Sequence, residues 1–204
     1  MPLPTKRVYF DNYVFFVDEN VYEPAEDSFL FAENLKVQSG ERVLDMGTGC
    51  GILGILAAEK AQDVIAVDVN PHAVRCAKYN SKVNNVRSKI TIVQGDLFTW
   101  LSEKTKFDVI LFNAPYLPED DSARDSWINC AWAGGATGRQ IIDRFISDVP
   151  KYLRQSGHVF LMQSTLADVN ETRRRFAQYH MHTRVLAKRD LPFFETLFLL
   201  EAYI

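Results

Sequence analysis

With 204 residues, 47% of them hydrophobic and 24% charged, the chain has material for one domain whose core needs no metal or disulfide staple. A formal net charge of −3 excludes a surface that is basic throughout and leaves room only for local nucleic-acid patches. Cys50, Cys76 and Cys130 lie far apart with no CxxC pair, which argues against a disulfide framework or a cysteine zinc site and for reduced thiols in the cytoplasm.

The first residues, Met-Pro-Leu-Pro-Thr-Lys-Arg, lack the apolar stretch of a signal peptide. No apolar run approaches the ~20 residues of a membrane span, so a soluble cytoplasmic protein is expected. Arg7–Phe10 and Tyr13–Val17 flank an Asp11-Asn12 turn and predict a hairpin. Pro24-Ala25-Glu26-Asp27-Ser28 then opens a helix, with proline first and acids in its first turn. Residues 1–35 are read as a hairpin and helix covering the cofactor site, and 36–204 as the core, within a single domain.

From residue 42 onward, short β-rich runs alternate with helical patterns, the signature of a parallel sheet covered on both faces. The predicted strands are Arg42–Met46, Val64–Asp68, Ile90–Gln94, Phe107–Phe112 and Gly157–Met162. Helices are expected at Ile52–Lys60, Pro71–Asn84 (capped by Asn70), Gly138–Leu153 and Leu166–Tyr179. Thr183–Lys188 and Glu195–Tyr203 close the sheet as an antiparallel hairpin around Asp190-Leu191-Pro192. The expected fold class is therefore α/β, a doubly wound, mostly parallel sheet of seven strands. His180 and His182 alternate along a predicted strand without metal-ligand spacing, so no metal is expected.

The run Val43 to Gly51 carries a buried strand into a turn made of Gly47, Thr48, Gly49, Cys50 and Gly51, and on into a helix. Such a turn lets backbone approach a ligand closely, and the helix N-terminus behind it offers free N–H groups. Gly49-x-Gly51-x-x-Gly54 also satisfies the GxGxxG of nicotinamide enzymes, so the turn alone is ambiguous. Asp45 stands two residues before the first glycine, where a carboxylate suits a ligand ammonium and would repel a pyrophosphate. Asp68 ends the second strand, placed to accept from both hydroxyls of a ribose, a feature that nicotinamide enzymes share. Asp96, followed by Leu97, ends the third, placed to accept from an adenine amine.

The fourth strand runs into Asn113-Ala114-Pro115-Tyr116, just past the carboxyl end where ligands of open parallel sheets bind. A proline turn would explain the tetrapeptide equally well. It also has a chemical use. The nitrogen of an amide or aryl amine is hard to methylate because its lone pair is delocalised. An asparagine oxygen and a backbone carbonyl can each accept one hydrogen of a planar –NH₂, fixing the nitrogen for in-line transfer. Asn113 and the Ala114 carbonyl have the types for that clamp, Pro115 stiffens the loop, and Tyr116 can wall the substrate.

Together the D-x-G-T-G-x-G turn, Asp68, Asp96 and N-A-P-Y resemble class I methyltransferases of the NPPY type. Val21-Tyr22-Glu23-Pro24-Ala25-Glu26-Asp27-Ser28-Phe29-Leu30, and Ala131-Trp132-Ala133-Gly134-Gly135 with Gly138-Arg139 and Asp143-Arg144-Phe145, resemble the short archaeal and eukaryotic branch of the HemK family. The resemblance implies a Rossmann-like fold and S-adenosyl-L-methionine as methyl donor. It implies methylation of the glutamine amide in the GGQ tripeptide of class I translation release factors. It further implies that Ser28, Asp45, Gly47, Asp68, Asp96, Leu97 and Asn113 contact the cofactor, with Asn113 also gripping the substrate. A small zinc-binding activator protein, added at a sheet edge formed by Ile90–Val93, is implied as a partner. Ala114 departs from the family proline: its carbonyl remains, but φ rigidity is lost.

Several alternatives stay open. An adenine-amine methyltransferase acting on RNA or DNA would present the same –NH₂ to the same clamp. The basic clusters Lys6-Arg7, Arg173-Arg174-Arg175 and Lys188-Arg189 are short and scattered, which reads better as solvated surface. A lysine or other protein target is a further reading. A degenerate cofactor-binding scaffold should lack Asp45, Asp68 or Asn113, and all three are present. A nicotinamide oxidoreductase remains formally open.

Overall fold

The computed structural model describes residues 6–118 and 126–204. Its chain order begins with a hairpin, β1 (Lys6–Phe10) and β2 (Tyr13–Val17), and helix α1 (Glu26–Glu33). The sheet-forming part runs β3 (Arg42–Met46), α2 (Ile52–Ala57), β4 (Asp63–Asp68), α3 (Pro71–Val83), β5 (Ile90–Gln94) and β6 (Phe107–Asn113). Then come α4 (Trp127–Cys130), α5 (Gln140–Asp148), β7 (Leu153–Ser164), α6 (Val169–Gln178), β8 (His182–Asp190) and β9 (Thr196–Tyr203). The seven-stranded sheet has the order β5-β4-β3-β6-β7-β9-β8. Strands β5 to β7 pair in parallel, and β9 lies antiparallel to both neighbours. This is the expected doubly wound sheet with its closing hairpin.

Two-residue periodicity in the central strands builds the layers. Val109 and Leu111 of β6, with Phe160 and Met162 of β7, join one core beneath α1, α2 and α3. Their neighbours Ile110, Phe112, Val159 and Leu161 join a second core with Ile142, Phe145 and Ile146 of α5 and Phe176 of α6. Strands apolar at consecutive positions fit only between two helical layers. Asn70 caps α3 as expected, its side chain accepting from the His72 N–H at 2.8 Å behind Pro71.

The hairpin is fastened by a device that its own sequence does not announce. Asn80 and Asn84, one turn apart on α3, bond the backbone edge of β2. Asn80 Oδ1 accepts from Phe16 N at 2.9 Å and Asn84 Oδ1 from Val14 N at 3.1 Å, while each Nδ2 donates 2.8 Å bonds to the matching carbonyl. Four helical residues rise about 6 Å, close to the span of two strand residues, so the amides imitate a neighbouring strand. Asn80 also donates to the Cys50 carbonyl, tying the hairpin to the glycine turn.

Some boundaries differ from expectation. Helix α1 begins at Glu26 with Ala25 as its cap, so Pro24 precedes the helix instead of opening it. Helix α5 ends at Asp148 because Pro150 has no N–H to continue it, and Val149–Lys151 tighten into a 3₁₀ turn. Leu153, expected to end that helix, starts β7 and pairs with Phe107. His180 lies in the turn after α6 with φ +58°, off the strand that begins at His182. Among the described residues, no group of three or more His, Cys, Asp or Glu could hold a metal ion, and no helix is long and apolar enough to cross a membrane.

Candidate active site

The carboxyl ends of β3, β4, β5 and β6 open into one cleft, closed from above by the start of α1. Asp45, Gly47, Thr48, Gly49, Asp68, Asp96 and Leu97 line it, with Ser28, Asn113, Ala114, Pro115 and Tyr116 on the far side. Gly51 lies outside the lining. At φ +94° it turns the chain into α2, and a Cβ there would stand 3.1 Å from the Ala77 Cβ on α3. Its place in the motif is one of packing.

The glycine turn is braced from within. Asp45 Oδ2 accepts from the Thr48 hydroxyl and, at 2.9 Å, from Gly54 N–H, so that oxygen holds the loop against α2. Burial pushes the Asp45 carboxyl up to about 7, although both hydrogen bonds pull the other way. Asp68 grips the loop from the next strand: Oδ2 accepts from Gly49 N and Oδ1 from Asn70 N, each at 2.9 Å. Burial raises its pKa as well. Each carboxylate oxygen has a second lone pair, so Asp68 keeps acceptor capacity toward the cleft. Asp96 is half exposed and paired with Arg144 at 2.7 Å, a contact weak enough in water for a ligand to displace. Buried Leu97, at φ +46°, floors that end of the cleft.

The opposite corner is built around a residue whose sequence neighbours mark it only as a first-turn acid of α1. Buried Asp27 accepts from the Tyr22 hydroxyl at 2.9 Å, from Ser28 N at 2.6 Å, and from Asn113 Nδ2 at 3.2 Å. The Tyr116 hydroxyl reaches it at 3.5 Å, and Ser28 Oγ accepts from Asn113 Nδ2 at 3.3 Å. An ionised carboxylate accepts only, so it turns the Asn113 amide with nitrogen toward itself. Asn113 Oδ1 is left buried with no partner among the described residues. An orphaned buried acceptor costs about 1–3 kcal/mol, which a ligand donor would recover. Burial first, and the Asp27 charge second, hold the Tyr22 and Tyr116 hydroxyls far above the usual tyrosine range, so neither serves as a base.

The loop bearing Asn113 to Tyr116 is clamped by the stretch from Ala131 to Arg139. Leu117 N donates to Trp132 O and Gly134 N to Leu117 O, both at 2.9 Å. Gly138, at φ +69°, lies so close that a Cβ would stand 2.3 Å from the Tyr116 carbonyl oxygen. Arg139 is buried and ties this segment to α6, donating to the carbonyls of Ala167 and Asp168, to Thr172 Oγ1 at 2.9 Å and to Asp143 Oδ1 at 2.7 Å. Trp132 meets Tyr22 edge-on at 6.1 Å, linking the motif back to the Asp27 corner.

Residues 17–130 match the methyltransferase small domain family. The chain is 43% identical over 179 residues to the "Putative protein N5-glutamine methyltransferase" of Methanocaldococcus jannaschii, covering 87% of this chain and 89% of that protein. The chain belongs to the HemK family of methyltransferases. Methyltransferase HEMK2 of Homo sapiens is 33% identical over 156 residues, 70% of this chain and 71% of that one. Among solved structures, the E. cuniculi Mtq2-Trm112 complex, described as responsible for methylation of the eRF1 translation termination factor, superposes with a TM-score of 0.70. The identity is 24%, over 90% of this chain and 98% of that one, and this likeness speaks for the fold alone.

HemK enzymes of the pattern described above carry proline where this chain has Ala114. Ala114 is buried, and its N–H donates only a long 3.4 Å bond to Met162 O. Ala114→Pro should therefore keep the fold and turnover within a few-fold, because a weak bond is exchanged for a fixed φ. Methyl transfer and melting temperature measured side by side check this. A folded but inactive variant would show that the loop follows a path proline cannot take.

Proposed function

We propose that this methyltransferase uses S-adenosyl-L-methionine to methylate a glutamine side-chain amide, that of the GGQ tripeptide in a class I release factor. The observation that carries the reading is Asn113 Oδ1, which lines the cleft with no partner among the described residues. The M. jannaschii relative, named as a protein N5-glutamine methyltransferase, agrees with it. When bound, the sulfonium cofactor supplies an electrophilic methyl group. Gly47, Thr48 and Gly49 offer backbone to it, Asp68 accepts from its ribose, and Asp96 and Leu97 frame its adenine. Asn113 Oδ1 accepts one hydrogen of the substrate amide and the Ala114 carbonyl the other. The nitrogen lone pair is thereby held on the line of transfer, and charge developing on nitrogen is stabilised. Tyr116 walls the planar group. No strong base is needed: as the methyl would leave the sulfonium sulfur, which becomes a neutral thioether, for the amide nitrogen, the N–H would turn acidic and its proton would pass to water.

A nucleic-acid substrate gains no support. Lys6 pairs with Glu23, Arg174 and Arg175 with Glu171, and Arg189 with Glu26 and Glu33, so four of the seven cations in the basic clusters stand against acidic neighbours. Edge strand β5 exposes Thr91 and Gln94 and is the place where a small zinc-binding activator would add. The Mtq2 neighbour is itself in complex with Trm112.

Incubation with labelled S-adenosyl-L-methionine and a release factor tests the reading. Label should enter the parent factor and be absent when the GGQ glutamine is alanine. Equal labelling of both would overturn it. Asp68→Ala should weaken cofactor binding about tenfold to a hundredfold by calorimetry, since a charged acceptor for two hydroxyls is lost. Unchanged affinity would remove Asp68 from the cofactor site.

A further inference from the structure

Two adjacent phenylalanines stand fully in water. Phe193 and Phe194, in the turn between β8 and β9, are 96% and 102% exposed, whereas the next most exposed large hydrophobic side chain among the described residues, Tyr9, reaches 66%. Both have positive φ, +63° and +65°, a backbone region that bulky side chains rarely adopt. No described residue covers either ring, and strain together with such exposure marks a surface made for something else.

The turn is held firmly. Leu191 N donates to Glu195 O at 2.8 Å and Leu191 packs against the core, while the Thr196 hydroxyl donates to Asp190 Oδ1 at 2.8 Å and Thr196 N to Thr165 Oγ1 at 3.1 Å. Arg189 anchors the incoming strand to α1 through Glu26 at 2.7 Å and Glu33 at 2.8 Å. The rings are thus presented by a rigid base.

Its position is set by register. Asn113 pairs with Met162, and two residues further along β7 Ser164 pairs with Leu197, just after the turn. The phenylalanines therefore rise from the same rim of the sheet as Asn113. Arg189, on the strand that feeds the turn, bonds Glu26 next to Asp27, so the turn stands beside the start of α1 that closes the cleft.

We infer that Phe193 and Phe194 form a docking lip for the polypeptide substrate, seating main chain that flanks the methylated glutamine. The inference rests on the protein-substrate reading above. It commits to that occupant because the patch rises from the rim that carries Asn113, beside the start of α1 that closes the cleft. Glycines beside a target glutamine expose flat peptide planes, on which rigid aromatic rings stack without side chains in the way.

The test is the double variant Phe193→Ala with Phe194→Ala, compared with the parent on an intact release factor. KM for the factor should rise about tenfold or more. The kcat at saturation, cofactor affinity and melting temperature should stay near parental values, because neither ring touches the reacting groups. Binding of the factor to each protein, followed by fluorescence anisotropy without cofactor, should weaken in step with KM. A parent that methylates the factor alongside a double variant with unchanged KM overturns the lip alone. A parent that neither binds nor methylates the factor overturns both readings. A parent that sediments as a dimer, with the double variant a monomer of parental KM, would assign the patch to a second copy of the chain instead.

Discussion

Asn113→Ala is expected to cut turnover by ~10²–10³, the scale of losing one preorganised polar group that acts on a transition state. Stability should change little, because the substitution removes two opposing features at once. The bonds of Nδ2 to Asp27 and Ser28, at 3.2 and 3.3 Å, disappear, but so does the unpartnered buried Oδ1. Without that oxygen the substrate amide keeps one acceptor and can rotate its lone pair off the line of transfer. Single-turnover methylation at saturating cofactor, with melting temperature as control, decides the matter; a parental rate would reduce Asn113 to a turn residue. Asn113→Asp is the sharper companion. It restores an acceptor of the same shape but sets a second carboxyl beside Asp27, where the two share a proton more readily than both ionise. The pair then has a raised pKa in the folded state, so the stability of this variant should fall as pH rises above the ordinary carboxylate range. A flat melting profile across that range would show that the two carboxyls do not meet.

The second large effect is expected at Asp27. Asp27→Asn keeps the shape but adds an NH₂, so Ser28 Oγ is left as the main acceptor that turns the Asn113 nitrogen inward. A fraction of molecules then presents Nδ2 instead of Oδ1 to the substrate, donor against donor. Turnover should fall about tenfold to a hundredfold, with KM for cofactor changed less, since what is lost is orientation of the group that acts during transfer. Asp27→Ala should also destabilise by about 1–3 kcal/mol, because Ser28 N–H and the Tyr22 hydroxyl lose their acceptor. Asp27 is a positioning residue in this account. A variant that raised KM for cofactor while leaving kcat intact would place it in the cofactor site instead.

Much of this protein was legible in its sequence because the requirements are local. Strands β3 and β5 run over the residues expected, Arg42–Met46 and Ile90–Gln94, since a buried strand must be apolar along its own length. The glycine turn was readable for the same reason: positive φ at Gly47 and Gly49 is a demand on those residues themselves. Asn70 and Pro71 likewise specify the start of α3 through their own side chains.

Other features are satisfied between residues distant in sequence, and these only the tertiary structure decided. Asp27 and Asn113 stand 86 positions apart, and nothing near Asp27 separates a buried hub from an ordinary first-turn acid. Asn80 and Asn84 read as polar residues of a helix until β2 arrives to use them. Gly134, Gly138 and Arg139 could be matched to a family but not explained, because the surfaces they fit, the Tyr116 carbonyl and the start of α6, come from elsewhere in the chain. Periodicity and turn preference act over a few residues and are written there. Whether a buried polar atom finds a partner depends on which elements pack together, and that is settled only when the sheet and its two helical layers close.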